Sequence, residues 1–211
     1  MQLLVAFLIA CAPLWKMAPR ATAPAIPGES ADPEAGTLYH ACGLDGVLEE
    51  EAFHAALAGC AKHGIQAGVI AIADMTRPST EQRFFVVDLE ARKLLLRTWV
   101  AHGKNSGGLY CERVSNVSGS LQTSKGLYRV GGKISSPKHG DALLLEGLDP
   151  GLNSAALRRE IIIHGADYVG AGFIARHGRL GRSFGCPAVA PEVLPQVIGL
   201  LEGRLLYVHA N

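Results

Sequence analysis

The sequence predicts a mainly β protein, a β-sandwich or barrel-like domain with a few helices, carrying a helical N-terminal extension. Three observations carry this. From residue 67 onward the apolar residues fall in short runs, too short for helices. Gly-, Ser- and Pro-rich stretches separate the runs, as turns and loops do. Two of the runs, Arg83–Leu89 and Leu94–Ala101, flank the polar tetrad Glu90-Ala91-Arg92-Lys93, which reads as a hairpin.

Taken in order, Met1 to Ala12 is an uncharged apolar run ending at Pro13. A bilayer span needs about 20 apolar residues, so this run suits the core of a secretory signal instead. Leu8-Ile9-Ala10-Cys11 also matches a lipobox, in which Cys11 would be acylated; a plain signal with an incidental cysteine explains it equally. Residues 1–17 are therefore expected to be a signal peptide or lipoprotein signal, and the protein to be exported to the periplasm or cell envelope. Residues 18–44 begin as an Ala/Pro-rich segment without hydrophobic period and read as a flexible linker.

Residues 45–66 carry the helical extension. Leu48, Ala52, Phe53, Ala56, Leu57 and Cys60 recur on one helical face. Asp45 is placed to cap it, and Gly64 to end it. The domain proper spans 67–211, with further strands expected at Leu127–Val130, Ala142–Glu146, Glu160–His164 and Leu205–His209. One late helix is expected from Pro191 to Leu201.

Twenty basic against 19 acidic side chains leave no surplus to neutralise phosphates, so nucleic acid is not an expected partner. Five cysteines, at 11, 42, 60, 111 and 186, form no CxxC pair, and no HExxH motif occurs, so neither a metal nor another cofactor is expected. Cys42 and Cys60 read either as a disulfide or as two small buried thiols.

The residues that point to chemistry lie late in the chain. Ile161-Ile162-Ile163 is a buried-looking strand that ends in His164-Gly165, and Ser183-Phe184-Gly185-Cys186-Pro187 follows after a spacer. A thiol attacks as its thiolate, which a neighbouring imidazole holds or generates. His164 at one strand end and Cys186 at the start of the next make such a pair. Gly185, lacking a side chain, would let a substrate carbonyl approach, with backbone N–H groups stabilising its oxyanion. His177 is the rival base, in what reads as a Gly/Arg-rich loop.

His164-Gly165 followed by Ser183-x-Gly185-Cys186 resembles the signature of YkuD-type L,D-transpeptidases: His-Gly, a spacer, then Ser/Thr-His-Gly-Cys. Further stretches are similar to the murein L,D-transpeptidase catalytic-domain family, among them Arg77–Arg83, Val100–Gly107, Ile163–Tyr168 and Gly178–Ala188. The resemblance implies a mainly β L,D-transpeptidase catalytic domain acting on peptidoglycan stem peptides. Cys186 would attack the carbonyl preceding the terminal D-alanine of a tetrapeptide, and a second stem's amine would resolve the thioester into a 3–3 cross-link. His164 would carry the proton, the Gly165 carbonyl would orient its ring, and Gly185 and Cys186 would supply oxyanion donors beside Ser183. Two departures stand out: Phe184 replaces the family's His, and Ala188 its Arg. Arg179 or Arg182 would then supply the charge for a stem carboxylate, unless both are solvated loop charges. His102, Lys104 and Asn105 are candidates for lining the substrate groove. An L,D-carboxypeptidase and an inactive wall-binding module remain alternatives.

Overall fold

The computed structural model describes residues 33–211. The expected signal with Cys11, and linker residues 18–32, lie outside the described residues. Eight strands form one sheet: β1 (Val69–Asp74), β2 (Phe84–Asp88), β3 (Lys93–Thr98), β4 (Gly126–Ser136), β5 (Gly140–Gly147), β6 (Ile162–Gly165), β7 (Ala188–Val189) and β8 (Leu205–His209). Their spatial order is β3-β2-β1-β8-β4-β5-β6-β7. Neighbours are antiparallel except β1–β8 and β6–β7, which are parallel. Beyond β3 the chain reaches back to the opposite edge, where Ala101 bridges Ala188 and Gly103 bridges Ser183. The sheet is thereby nearly closed into a barrel, and the mainly β expectation holds.

Strands β1 and β2 read as continuous apolar runs because both of their faces are covered. Ala71, Ala73, Phe84 and Val86 belong to one core, shared with Tyr128, Leu143, Ile163 and Leu206. Ile70, Ile72, Phe85 and Val87 point the other way, into a second core. Helix α1 (Pro33–Ala41) and helix α2 (Glu50–Lys62) complete that second core through Tyr39, Phe53, Ala56 and Cys60. The helical extension is therefore an integral layer of the domain, without which one face of the central strands would meet water.

Three details differ from expectation, and one open alternative is settled. Residues 33–41, placed in the linker, are helical, and Tyr39 is buried beneath α2. Its hydroxyl lies 2.9 Å from Leu44 O and 2.6 Å from Leu48 O, fixing the turn between the helices. Asp45 caps nothing: its carboxylate meets His40 Nδ1 at 2.6 Å, and α2 begins at Glu50 with Glu49 at its N-cap. Cys42 and Cys60 are buried free thiols, which settles that alternative against a disulfide. The late helix, α4 (Leu194–Leu201), starts beyond Pro191, so Pro195 rather than Pro191 occupies its first turn. Proline is tolerated there because that N–H has no partner within the helix.

Helix α2 is locked to the sheet at its C-terminal end. Lys62 Nζ and His63 Nε2 reach Asp149 Oδ1 at 2.7 and 3.0 Å, while Leu127 N–H donates to Asp149 Oδ2 at 2.7 Å. Burial alone would raise the Asp149 carboxyl, but these donors outweigh it and hold the group below its ordinary range.

Candidate active site

Strand β6 ends in His164 and Gly165, and β7 begins two residues after Cys186. The two strands pair in parallel, with His164 opposite Ala188. Sheet formation thus carries both residues to one rim of the barrel, His164 buried and Cys186 half-buried. The Lys138 ammonium is an electrostatic neighbour of both side chains.

His164 Nδ1 lies 2.9 Å from Gly165 O. A carbonyl only accepts, so Nδ1 carries the hydrogen and Nε2 of the neutral ring is left with its lone pair. The Gly165 carbonyl thereby fixes the tautomer of the His164 ring. Burial lowers the imidazole below its usual value; the Gly165 bond opposes this, and His139 and Lys138 reinforce it. His139 comes from the β4–β5 turn and stacks on His164 with centroids 3.8 Å apart. It arrives there because Ala142, just beyond that turn, is the register partner of His164.

The Cys186 thiol points toward Glu160 O at 3.9 Å rather than toward the imidazole. Burial pushes the thiol up, while the Ile162 N–H, Arg159 and Lys138 pull it down without overcoming burial. Burial thus favours the protonated thiol at Cys186 and the neutral imidazole at His164.

Ser183 organises the turn that presents Cys186. Its hydroxyl donates to Cys186 O at 2.5 Å and accepts Gly185 N–H at 3.1 Å. This corrects one expectation: the Gly185 N–H is occupied within the turn by the Ser183 hydroxyl. The reason for Gly185 is different as well. At φ +126°, a Cβ there would lie 2.8 Å from Gln122 O and 3.0 Å from Arg159 Nη2. The space that glycine frees is filled by the protein itself, not by substrate.

The expected substrate contacts divide. Lys104 is exposed, with Nζ 4.7 Å from the Phe184 ring centroid; Lys138 Nζ lies 4.7 Å from the same ring. Phe184 is itself 55% exposed. Asn105 donates to Ser120 O at 2.9 Å and so joins two loops. Arg182 Nη1 binds Gly107 O at 2.9 Å, and Arg179 Nη1 binds Leu180 O at 2.7 Å, so both arginines brace loop carbonyls.

His102 cannot line a groove, because it is fully buried. Its Nδ1 meets Arg83 Nη2 at 2.7 Å, and burial together with that guanidinium pushes the ring down to about 4. His177 is exposed at the end of α3 (Ala171–His177), where its ring packs on Phe173. That segment was expected to be a loop, since a seven-residue helix that buries no side chain leaves no apolar stripe to read. Among the described residues no group of three His, Cys, Asp or Glu converges as metal ligands do. His139, Lys138 and Arg159 went unrecognised in the sequence, for their place beside the pair depends on strand order.

A sequence profile described as the L,D-transpeptidase catalytic domain matches residues 45–209, most of the chain. The chain belongs to that family. The match begins at 45, in agreement with α2 being part of the domain. Among solved structures, the chain is similar to an L,D-transpeptidase from Mycobacterium smegmatis, with 16% identity and a TM-score of 0.42 over 69% of this chain and 60% of that one. The cell-shape-determining protein Pgp2 from Campylobacter jejuni gives 16% and 0.45 over 68% and 48%. L,D-transpeptidase 3 from Mycobacterium tuberculosis, in complex with a faropenem-derived adduct, gives 13% and 0.41 over 69% and 62%. The match spans about half to three fifths of those chains. Nothing among curated proteins matches.

Proposed function

We propose that this L,D-transpeptidase-family domain is a cysteine acyltransferase acting on peptidoglycan stem peptides, with Cys186 as nucleophile and His164 as base. The observation that carries the reading is the His164 Nδ1–Gly165 O bond, which leaves Nε2 as a proton acceptor on the strand paired with β7. As substrate binds, the thiol hydrogen leaves Glu160 O and passes to Nε2. The sulfur adds to the carbonyl carbon before the terminal D-alanine, and the Cys186 N–H receives the oxyanion. Collapse breaks the C–N bond, His164 returns the proton to the departing amine, and a thioester remains. A side-chain amine of a second stem then attacks the thioester, forming the 3–3 cross-link and restoring the thiol.

Phe184 takes the place of the family's polar His, and the ammonium groups of Lys104 and Lys138 surround its ring. In this reading those two lysines receive the stem's carboxylate, the part first expected of Arg179 and Arg182. We further propose that the protein is exported to the periplasm or cell envelope, with or without a lipid on Cys11. Fatty-acid labelling that is lost in Cys11→Ser establishes the lipid, and accumulation of the intact precursor in the cytosol contradicts export.

The decisive experiment incubates the protein with disaccharide-tetrapeptides and identifies products by mass spectrometry. Cross-linked dimers are expected, and none with Cys186→Ala or His164→Ala. Tripeptides alone would make the protein an L,D-carboxypeptidase. Unchanged substrate that nevertheless binds would make it a wall-binding module. Turnover that survives Cys186→Ala would overturn the assignment.

A further inference from the structure

The guanidinium of Arg159 lies beneath the turn that carries Cys186, and every bond it makes goes to a neutral acceptor. Nη1 donates to Ser115 O at 2.7 Å and Ser124 Oγ at 2.8 Å. Nη2 donates to Gln122 O at 2.5 Å and reaches Ser120 Oγ at 3.4 Å. Both Nη2 and Gln122 O occupy the space that a Cβ on Gly185 would need. One side chain therefore ties the 115–124 loop together and sets the floor of the nucleophile turn. The next residue, Glu160, has positive φ (54°), and its carbonyl receives the Cys186 thiol. The Arg159 segment thus meets the sulfur twice, through the guanidinium under Gly185 and through the following carbonyl.

Among the described residues no carboxylate pairs with this guanidinium, so its charge is not cancelled locally. The titratable groups that feel it are Tyr128 and Cys186. The sulfur in turn is faced by Arg159 and Lys138, and also acts on Tyr128 and Tyr168. Lys138 is an exposed, mobile-stemmed ammonium, whereas Arg159 is half-buried and held in a fixed fork.

We propose that Arg159 is a positioning residue for the proposed reaction: it fixes the turn bearing Cys186 and supplies the fixed positive charge that favours its thiolate. This rests on Cys186 being the nucleophile. Burial opposes ionisation of the thiol, and a cation held under the turn is what this site sets against that burial. An unpaired arginine bonded only to carbonyls and hydroxyls costs folding stability, which a purely structural brace need not incur.

The test is the pH dependence of Cys186 alkylation by iodoacetamide, in which the thiolate displaces iodide, read peptide by peptide with the full-length protein. Arg159→Gln is expected to move the profile upward by about one pH unit, slowing alkylation at neutral pH about tenfold. Arg159→Lys keeps a cation without the fork, so its profile stays near the parent's while its melting temperature falls. Should Arg159→Gln not fold, Arg159→Lys decides alone: a profile displaced by a full unit despite the retained charge overturns the proposal. So does an unmoved profile in a folded Arg159→Gln. An inert Cys186 in the parent would sink the nucleophile assignment itself, whereas a reactive parent with an indifferent Arg159→Gln sinks only this inference.

Discussion

Replacing Gly185 by alanine adds one methyl group at the most constrained point of the nucleophile turn. That methyl would sit 2.8 Å from Gln122 O and 3.0 Å from Arg159 Nη2. The first is a backbone atom and the second is the end of a side chain held by several hydrogen bonds, so neither yields cheaply. Crowding of this kind costs about 1–3 kcal/mol. The backbone there has φ +126°, which costs a non-glycine residue about 1–3 kcal/mol more. Together these give about 2–6 kcal/mol, or a fall in Tm of roughly 6–18 °C for a domain of this size. Gly178→Ala separates the two contributions. It also has positive φ (68°), at the C-cap of α3, but nothing lies within 4 Å of its Cβ, so about 1 kcal/mol is expected. Thermal unfolding followed by circular dichroism measures both variants. If Gly185→Ala melts no lower than Gly178→Ala, the packing beneath the turn is not as described, and the account of Arg159 weakens with it.

Lys104→Ala should raise KM for a tetrapeptide about tenfold with kcat little changed, while a substrate with its terminal carboxylate amidated should not discriminate parent from variant; equal losses on both substrates would remove Lys104 from carboxylate recognition. His102 is expected to titrate at about 4 in the folded protein, against 6.5 for an unperturbed ring. Because the folded value is the lower, the unfolded chain takes up its proton first. The stability associated with neutral His102 is therefore complete above about pH 6.5 and declines as pH falls toward about 4, by about 3 kcal/mol in all. Proton NMR of the ring across that range tests this, and a midpoint near 6.5 would refute the burial argument.

Periodicity in the sequence sufficed to find most of the strands, because apolar runs bounded by Gly and Pro are a local property, but not the two-residue β7. Leu205–His209 matches β8 without adjustment, and the hairpin around Glu90–Lys93 connects β2 and β3. Strand β4 was foreseen only in part. Its second half, Gly131–Ser136, has no buried residue and, apart from Ile134, no large apolar side chain, yet it pairs with β5 through the backbone. The His164, Gly165, Ser183, Gly185 and Cys186 set was likewise legible as a motif, whereas the roles within it were not. Gly185 serves the turn's own packing, and Ser183 holds an N–H that had been assigned to substrate.

Sequence alone determined the family, the strand-rich domain and the two side chains of the proposed chemistry, since each is written within a short stretch of chain. Tertiary structure alone decided what surrounds them. Parallel pairing of β6 with β7 brings His164 and Cys186 to one rim, and antiparallel pairing of β5 with β6 lays His139 on His164. Arg159 is far from the 115–124 loop in sequence, yet its four hydrogen bonds converge on that loop under the nucleophile turn. Electrostatic and packing forces act through space, so the neighbours that set a group's charge and orientation are fixed only when the chain has closed on itself.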